Sequence, residues 1–195
     1  MRVKICGLTS LADAAMCDEL GADALGFVHV PGRTRSLPIE RISGIISSLG
    51  PLTTKVLVCK PNSKPEAEEF FAASGADILQ LHSLGPDDLD SLRSGGIPLI
   101  RAVPPLRTEA ERFANHAEAL LFESGDAGTG TSYDYSDVPT NACRRYIIAG
   151  GLTPMNVAKA ISMNPYAVDV SSGVERVAGS KDRELVRDFI RRCKQ

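Results

Sequence analysis

The chain predicts an α/β fold, a single (β/α)8 TIM barrel spanning residues 1–195. Three observations carry that reading. Short apolar runs alternate with amphipathic stretches from one end to the other, as repeated βα units require. Eight such runs can be counted, and most lack the in-and-out alternation of a half-exposed strand, as strands covered on both faces should. No linker, charge run or low-complexity tract divides the chain. With 195 residues the barrel is slightly short, so its connections must be lean. An open flavodoxin-like sheet is the competing architecture, but eight strands are too many for it and the Gly-rich first βα turn is missing.

The first strand is predicted at 3–6, a β-branched run that ends in the thiol of Cys6 and is followed by Gly7. A helix over 11–20 follows, with Ser10 as N-cap and Gly21 where a glycine would terminate it. The second strand, 24–28, leads through the loop 31–37 to a helix over 39–49 opened by Pro38 at its first position. Strand 55–59 is followed by a helix over 66–74 behind Pro65, and strand 78–81 by a helix over 87–93 begun near Pro86. Strand 99–103 precedes a helix over 108–116, and strand 119–122 precedes a shorter helix over 136–144. The series closes with strand 146–149, helix 154–163, strand 167–170 and helix 182–192.

Composition narrows the partners. The 43% hydrophobic and 24% charged residues are those of ordinary globular domains, and no run approaches the roughly 18 to 20 apolar residues of a membrane span. A net charge of −2 and pI near 5.9 give no basic field, so neither nucleic acid nor membrane is expected as a partner and a small molecule is. The five cysteines are odd in number and irregularly spaced, which supports neither a disulfide framework nor a zinc site. A strand from the first residues leaves no room for a targeting segment, so free thiols in the reducing cytoplasm are expected. The helical barrel surface shows no readable patch, which leaves monomer and homodimer both open.

In such a barrel chemistry sits at the carboxyl ends of the strands. The residues found there are Cys6, Arg35, Gln80 with His82, Arg101, Glu123, Gly150-Gly151, and Asp169 with Ser171-Ser172-Gly173. The seventh strand ends in Gly150-Gly151 before a helix start, and the eighth in two serines and Gly173. Together these loops read as a phosphate site, because glycine admits close approach to backbone amides and the serines add donors. Cys6 reads either as a small core residue or as a thiolate base facing the pocket. Glu123 and Asp126 flank the sixth strand's end, where a carboxyl is either an exposed loop acid or, with its pKa raised by burial, a general acid. Gln80 and His82 share one face of an extended segment, which suits substrate contact better than proton transfer. Arg35 is simply solvated unless an anionic substrate gives it a purpose.

Taken together, the motifs at 3–9, 21–28, 79–82, 128–130, 149–152 and 168–175 resemble the phosphoribosylanthranilate isomerase family of tryptophan biosynthesis over nearly the whole chain. The resemblance implies an Amadori rearrangement of an aminoaldose to an aminoketose, without metal or cofactor. It implies Cys6 as the base taking the C2 proton and an acid at the end of the sixth strand that opens the ribose ring. Arg35 would face the anthranilate end, Gly150, Gly151, Ser171 and Ser172 would hold the phosphate, and Asp169 would line the pocket. Two departures stand out. Where the family usually has Leu-Leu-Asp this chain has Leu121-Phe122-Glu123, and the following loop lacks the family's lysine and tryptophan. Glu123 is thus one methylene longer than the usual acid, and Asp126 is the alternative. A histidine-pathway phosphoribosyl isomerase is a second reading, against which stands Cys6 where that enzyme has a carboxylate. A phosphate-binding barrel without catalysis is the third, motivated by Glu123 and the altered loop.

Overall fold

In the computed structural model, which describes residues 1–124 and 133–195, eight parallel strands follow one another around a closed barrel. They are β1 (Arg2–Ile5), β2 (Ala24–His29), β3 (Thr54–Cys59), β4 (Ile78–Leu81), β5 (Leu99–Val103), β6 (Ala119–Phe122), β7 (Tyr146–Ile148) and β8 (Ala167–Val170). β1 pairs with β8 to close the ring, with Lys4 opposite Asp169, and the Cys6 amide continues the ladder by donating to the Val170 carbonyl at 2.8 Å. Seven helices among the described residues wrap it: α1 (Leu11–Glu19), α2 (Ile39–Ser47), α3 (Lys64–Ser74), α4 (Pro86–Ser94), α5 (Arg107–Phe113), α6 (Val157–Ile161) and α7 (Arg183–Lys194).

The two-residue period of a strand sorts side chains into two layers. Alternate positions such as Ile5, Leu25, Leu57, Leu79 and Phe122 face the helices and pack with Phe113 and Phe189 in the main core. The remaining positions face the barrel interior. On β5 to β8 they are apolar, and Ile100, Ala102, Ala119, Leu121, Ile147, Ala149 and Ala167 form a plug. Each side chain fully buried in these layers contributes about 1.5–3 kcal/mol. Continuing the same parity toward the carboxyl ends carries the interior positions to Cys6, His82, Glu123 and Asp169.

Helix starts follow local chemistry. Ser10 accepts from the Asp13 amide, Ser63 from that of Glu66, and Asp182 from those of Glu184 and Leu185. Pro38 caps α2 from just outside it, and Pro65 is the second residue of α3, each one place from the predicted position. Two larger corrections concern the sixth and seventh units. The helix predicted over 136–144 is only a 3₁₀ turn at Tyr135–Asp137, because Pro139 holds Val138 extended at φ −63°, ψ 122° and stops propagation. The helix predicted over 154–163 shrinks to α6. After β8 the sequence also builds an unpredicted hairpin, β9 (Glu175–Val177) and β10 (Ser180–Lys181).

Candidate active site

Cys6 stands at the end of β1 with 8% of its surface exposed. Space for its thiol is made by Gly26 on β2, where a Cβ would lie 2.8 Å from Sγ. Lys4, two residues earlier on the same face and 3% exposed, places its Nζ 2.9 Å from Asp169 Oδ1 and its charge beside the Cys6 thiol. Burial pushes the thiol pKa up, the Lys4 ammonium pulls it back, Asp169 adds to the rise, and the net direction is upward. Burial works against the Lys4 charge, yet Asp169 and Cys6 overcome it and hold the ammonium firmly protonated.

Across the barrel mouth, Glu123 follows β6 and His82 follows β4, with His82 Nδ1 3.2 Å from Glu123 Oε1. Burial, reinforced by the Asp169 charge and opposed by Lys4, lifts the Glu123 carboxyl to about 7. Burial, together with the nearby positive groups Arg101, Lys4, Lys60 and Arg33, lowers His82 to about 4 and leaves its ring neutral near pH 7. Gln80, 2% exposed, brings its Nε2 within 3.4 Å of His82 Nε2.

Arg35 is not simply solvated, in contrast to one sequence expectation. Its Nε and Nη2 form a two-pronged pair with Glu175 Oε1 and Oε2 at 2.7 and 2.6 Å. Glu175 Oε1 also accepts from Lys181 Nζ at 2.7 Å, and Lys181 donates to the Ser171 carbonyl at 3.1 Å. Burial alone would raise the Glu175 carboxyl, but Arg35 and Lys181 hold it below the usual range. The hairpin after β8 thus ties the loop 31–37 to the end of β8.

The two glycine-bearing loops meet as expected. Gly150 and Gly151 carry left-handed φ values of +85° and +65°. The Tyr135 hydroxyl donates to the Gly150 carbonyl at 2.8 Å, and Asn156 Nδ2 to the Gly151 carbonyl at 2.9 Å. Gly173 in the 3₁₀ turn Ser172–Val174 approaches the first loop so closely that a Cβ would lie 1.8 Å from the Leu152 carbonyl oxygen. Ser171 and Ser172 follow β8 beside that contact.

Cys6, Gln80, His82, Glu123 and Asp169 therefore share one barrel mouth, bordered by Arg35 and the paired loops. Arg101 departs from the set: it stacks over Phe113 at 4.5 Å and donates to the Leu81 and Ser83 carbonyls, a structural task. Asp126 and the motif 128–130 lie outside the described residues. Sequence reasoning missed Lys4, Glu175 and Lys181. The signal for Lys4 was available, since it shares Cys6's face two residues away; the other two depended on the unpredicted hairpin.

A family model described as N-(5'phosphoribosyl)anthranilate (PRA) isomerase matches residues 3–192. The chain belongs to that family. Among curated N-(5'-phosphoribosyl)anthranilate isomerases, that of Haloferax volcanii is 39% identical, covering 99% of this chain and 93% of the relative. The Geobacter metallireducens isomerase is 38% identical over 100% of this chain and 99% of its own. The crystal structure of the phosphoribosyl anthranilate isomerase from Thermus thermophilus superposes with a TM-score of 0.92 at 34% identity, covering 100% of this chain and 98% of that one. Another isomerase of the family, solved in complex with reduced 1-(o-carboxyphenylamino)-1-deoxyribulose 5-phosphate, gives a TM-score of 0.87 at 34% identity with the same coverage.

Proposed function

We propose that Cys6 and Glu123 are the base and acid with which this isomerase converts N-(5-phosphoribosyl)anthranilate to 1-(2-carboxyphenylamino)-1-deoxyribulose 5-phosphate in tryptophan biosynthesis. The observation that carries the reading is the placement of the thiol and a protonatable carboxyl on either side of one buried Lys4–Asp169 pair. Glu123 gives its proton to the ring oxygen, the C1–O bond breaks, and the nitrogen lone pair forms an iminium. The Cys6 thiolate then removes the C2 proton, and the C2–H electrons neutralise the iminium to give an enolamine. Return of a proton at C1 and loss of the hydroxyl proton at C2 yield the ketone. These transfers call on no metal or cofactor.

Lys4 supplies the positive charge against which the thiolate forms. Gly150, Gly151, Ser171, Ser172 and Gly173 form the phosphate end, with backbone amides and hydroxyls as donors. Arg35, held by Glu175, meets the anthranilate carboxylate, while Gln80, His82 and Asp169 wall the ribose. The chain works on this phosphorylated small molecule in the cytoplasm, as a monomer or a homodimer; a relative from Thermotoga maritima is described as dimeric. Among the described residues no helix is long and apolar enough to cross a membrane.

The test is loss of anthranilate fluorescence when purified protein meets freshly made substrate. Conversion above the spontaneous background is expected from the native chain and from Asp126→Asn, and is expected to vanish in Glu123→Gln. An inactive Asp126→Asn beside an active Glu123→Gln would move the acid to Asp126. Binding of a reduced product analogue without turnover would instead favour a barrel that has lost catalysis.

A further inference from the structure

Buried Gln80 and half-buried His82 and Glu123 form a line at the barrel mouth, running from Gln80 Nε2 to His82 Nε2 at 3.4 Å and from His82 Nδ1 to Glu123 Oε1 at 3.2 Å. A neutral imidazole has one proton for two nitrogens. An amide NH2 faces Nε2, so that nitrogen accepts and the proton resides on Nδ1, 3.2 Å from Glu123 Oε1. The opposite end of the Gln80 amide, Oε1, is buried and has no hydrogen-bond partner among the described residues. Gln80 is therefore committed to this line through its NH2 group.

We propose that His82 is a positioning residue for the general acid, with its Nδ1–H, fixed in that tautomer by the Gln80 amide, anchoring Glu123 Oε1 so that Oε2 carries the proton toward the substrate. The proposal rests on Glu123 being the acid. It accounts for this chain's extra methylene: a glutamate has one more rotatable bond than aspartate, and a fixed donor on one oxygen removes that freedom. The ring does not itself exchange a proton with substrate. The other titratable groups whose charge acts on Glu123 are Lys4 on β1, Asp169 on β8 and the Tyr133 phenol; those acting on His82 are Arg101, Lys4, Lys60 and Arg33. They sit on different elements and remain in place when His82 is changed, so a change in acid behaviour reports the His82 contact.

The experiment compares the full chain with His82→Leu, His82→Asn, Gln80→Met and Glu123→Gln, measuring kcat and KM across pH. His82→Leu is expected to lower kcat about 10- to 100-fold, a share of the 10²- to 10⁴-fold a positioned acid supplies, with a smaller change in KM from the lost ribose wall. Without the donor the Glu123 carboxylate loses the proposed hydrogen bond, so the lower kinetic pKa moves to higher pH. Asn presents an amide N–H close to the position of Nδ1, so His82→Asn is expected to recover most of kcat and the native profile. Gln80→Met is expected to fall between them. The proposal is overturned if KM rises while kcat holds, which makes His82 a substrate contact alone, or if Asn is no better than Leu. An unmoved pH profile in His82→Leu overturns it as well. Full activity in Glu123→Gln instead removes the acid assignment itself; loss of activity there beside native-like His82 and Gln80 variants removes only the positioning role.

Discussion

At the level of single residues, the proposed acid and base would work in the less common ionisation order. Cys6, the proposed base, has its thiol raised above its ordinary value, while Glu123, the proposed acid, is lifted only to about 7. The competent form, thiolate with protonated carboxyl, is thus a minority at every pH. Its population rises until Glu123 begins to ionise, stays level, and falls once the thiol too has lost its proton. In a kcat/KM profile the lower limb therefore reports Glu123 near 7 and the upper limb the thiol. Cys6→Ser is expected to lower kcat by roughly three orders of magnitude or more, with unchanged circular dichroism, because a hydroxyl cannot supply the anion near neutral pH. A near-native rate would take the base role from Cys6. The same carboxyl has a stability signature. Its folded pKa of about 7 lies above its ordinary value of 4.5, so its contribution is fully present below the ordinary value and is lost as pH rises through 7. Glu123→Gln is accordingly expected to be more stable than the native chain at pH 8, by at most about 3 kcal/mol, since a tenfold difference in proton affinity is worth about 1.4 kcal/mol. Near pH 4 the two are expected to melt together. Equal melting at both pH values would show that the buried Glu123 charge costs the fold nothing.

Among the elements, strand parity explains what was legible in the sequence. Strands β4, β5, β6 and β8 have the predicted limits, since an apolar run bounded by polar or glycine residues marks a doubly covered strand. Their ends, with that of β1, then pointed to Cys6, Gln80, His82, Glu123 and Asp169. Arg101 was a false candidate because it occupies the opposite parity, facing Phe113 instead of the interior. Apolar periodicity over 136–144 suggested a helix, but a single proline overrode it. The hairpin β9–β10 is too short and polar for any pattern to announce, and with it went Glu175 and Lys181, whose partners are more than a hundred residues away or across a turn. Close packing of the two loops gives a prediction of its own. Gly173→Ala sets a Cβ against the backbone oxygen of Leu152, which cannot rotate away. Separation of the loops after β7 and β8 is expected to raise KM at least about tenfold and to lower the melting temperature; a native KM would detach that contact from phosphate binding.

Over the molecule as a whole, the site and the chain ends occupy opposite ends of the barrel. Asp23, just before β2, accepts from the Val3 amide at 2.8 Å and from Lys194 Nζ, so both ends of the chain touch one side chain. Joining them by a short linker and opening the chain at Gly95-Gly96, in the turn after α4, leaves every strand pair and every mouth residue intact. The permuted chain is expected to fold and to keep kcat within about tenfold, checked by the fluorescence assay; loss of activity with retained fold would show that the mouth geometry depends on chain order. Closure of the ring by β1 and β8 is what lets loops from distant parts of the sequence face Cys6 at all.

Burial also protects Cys6 chemically. Peroxides and alkylating agents attack thiolates, and they must reach them. A sulfur that is nearly enclosed and mostly protonated offers little of either, so the barrel shields Cys6 from irreversible oxidation, whatever fraction of time the proposed thiolate exists.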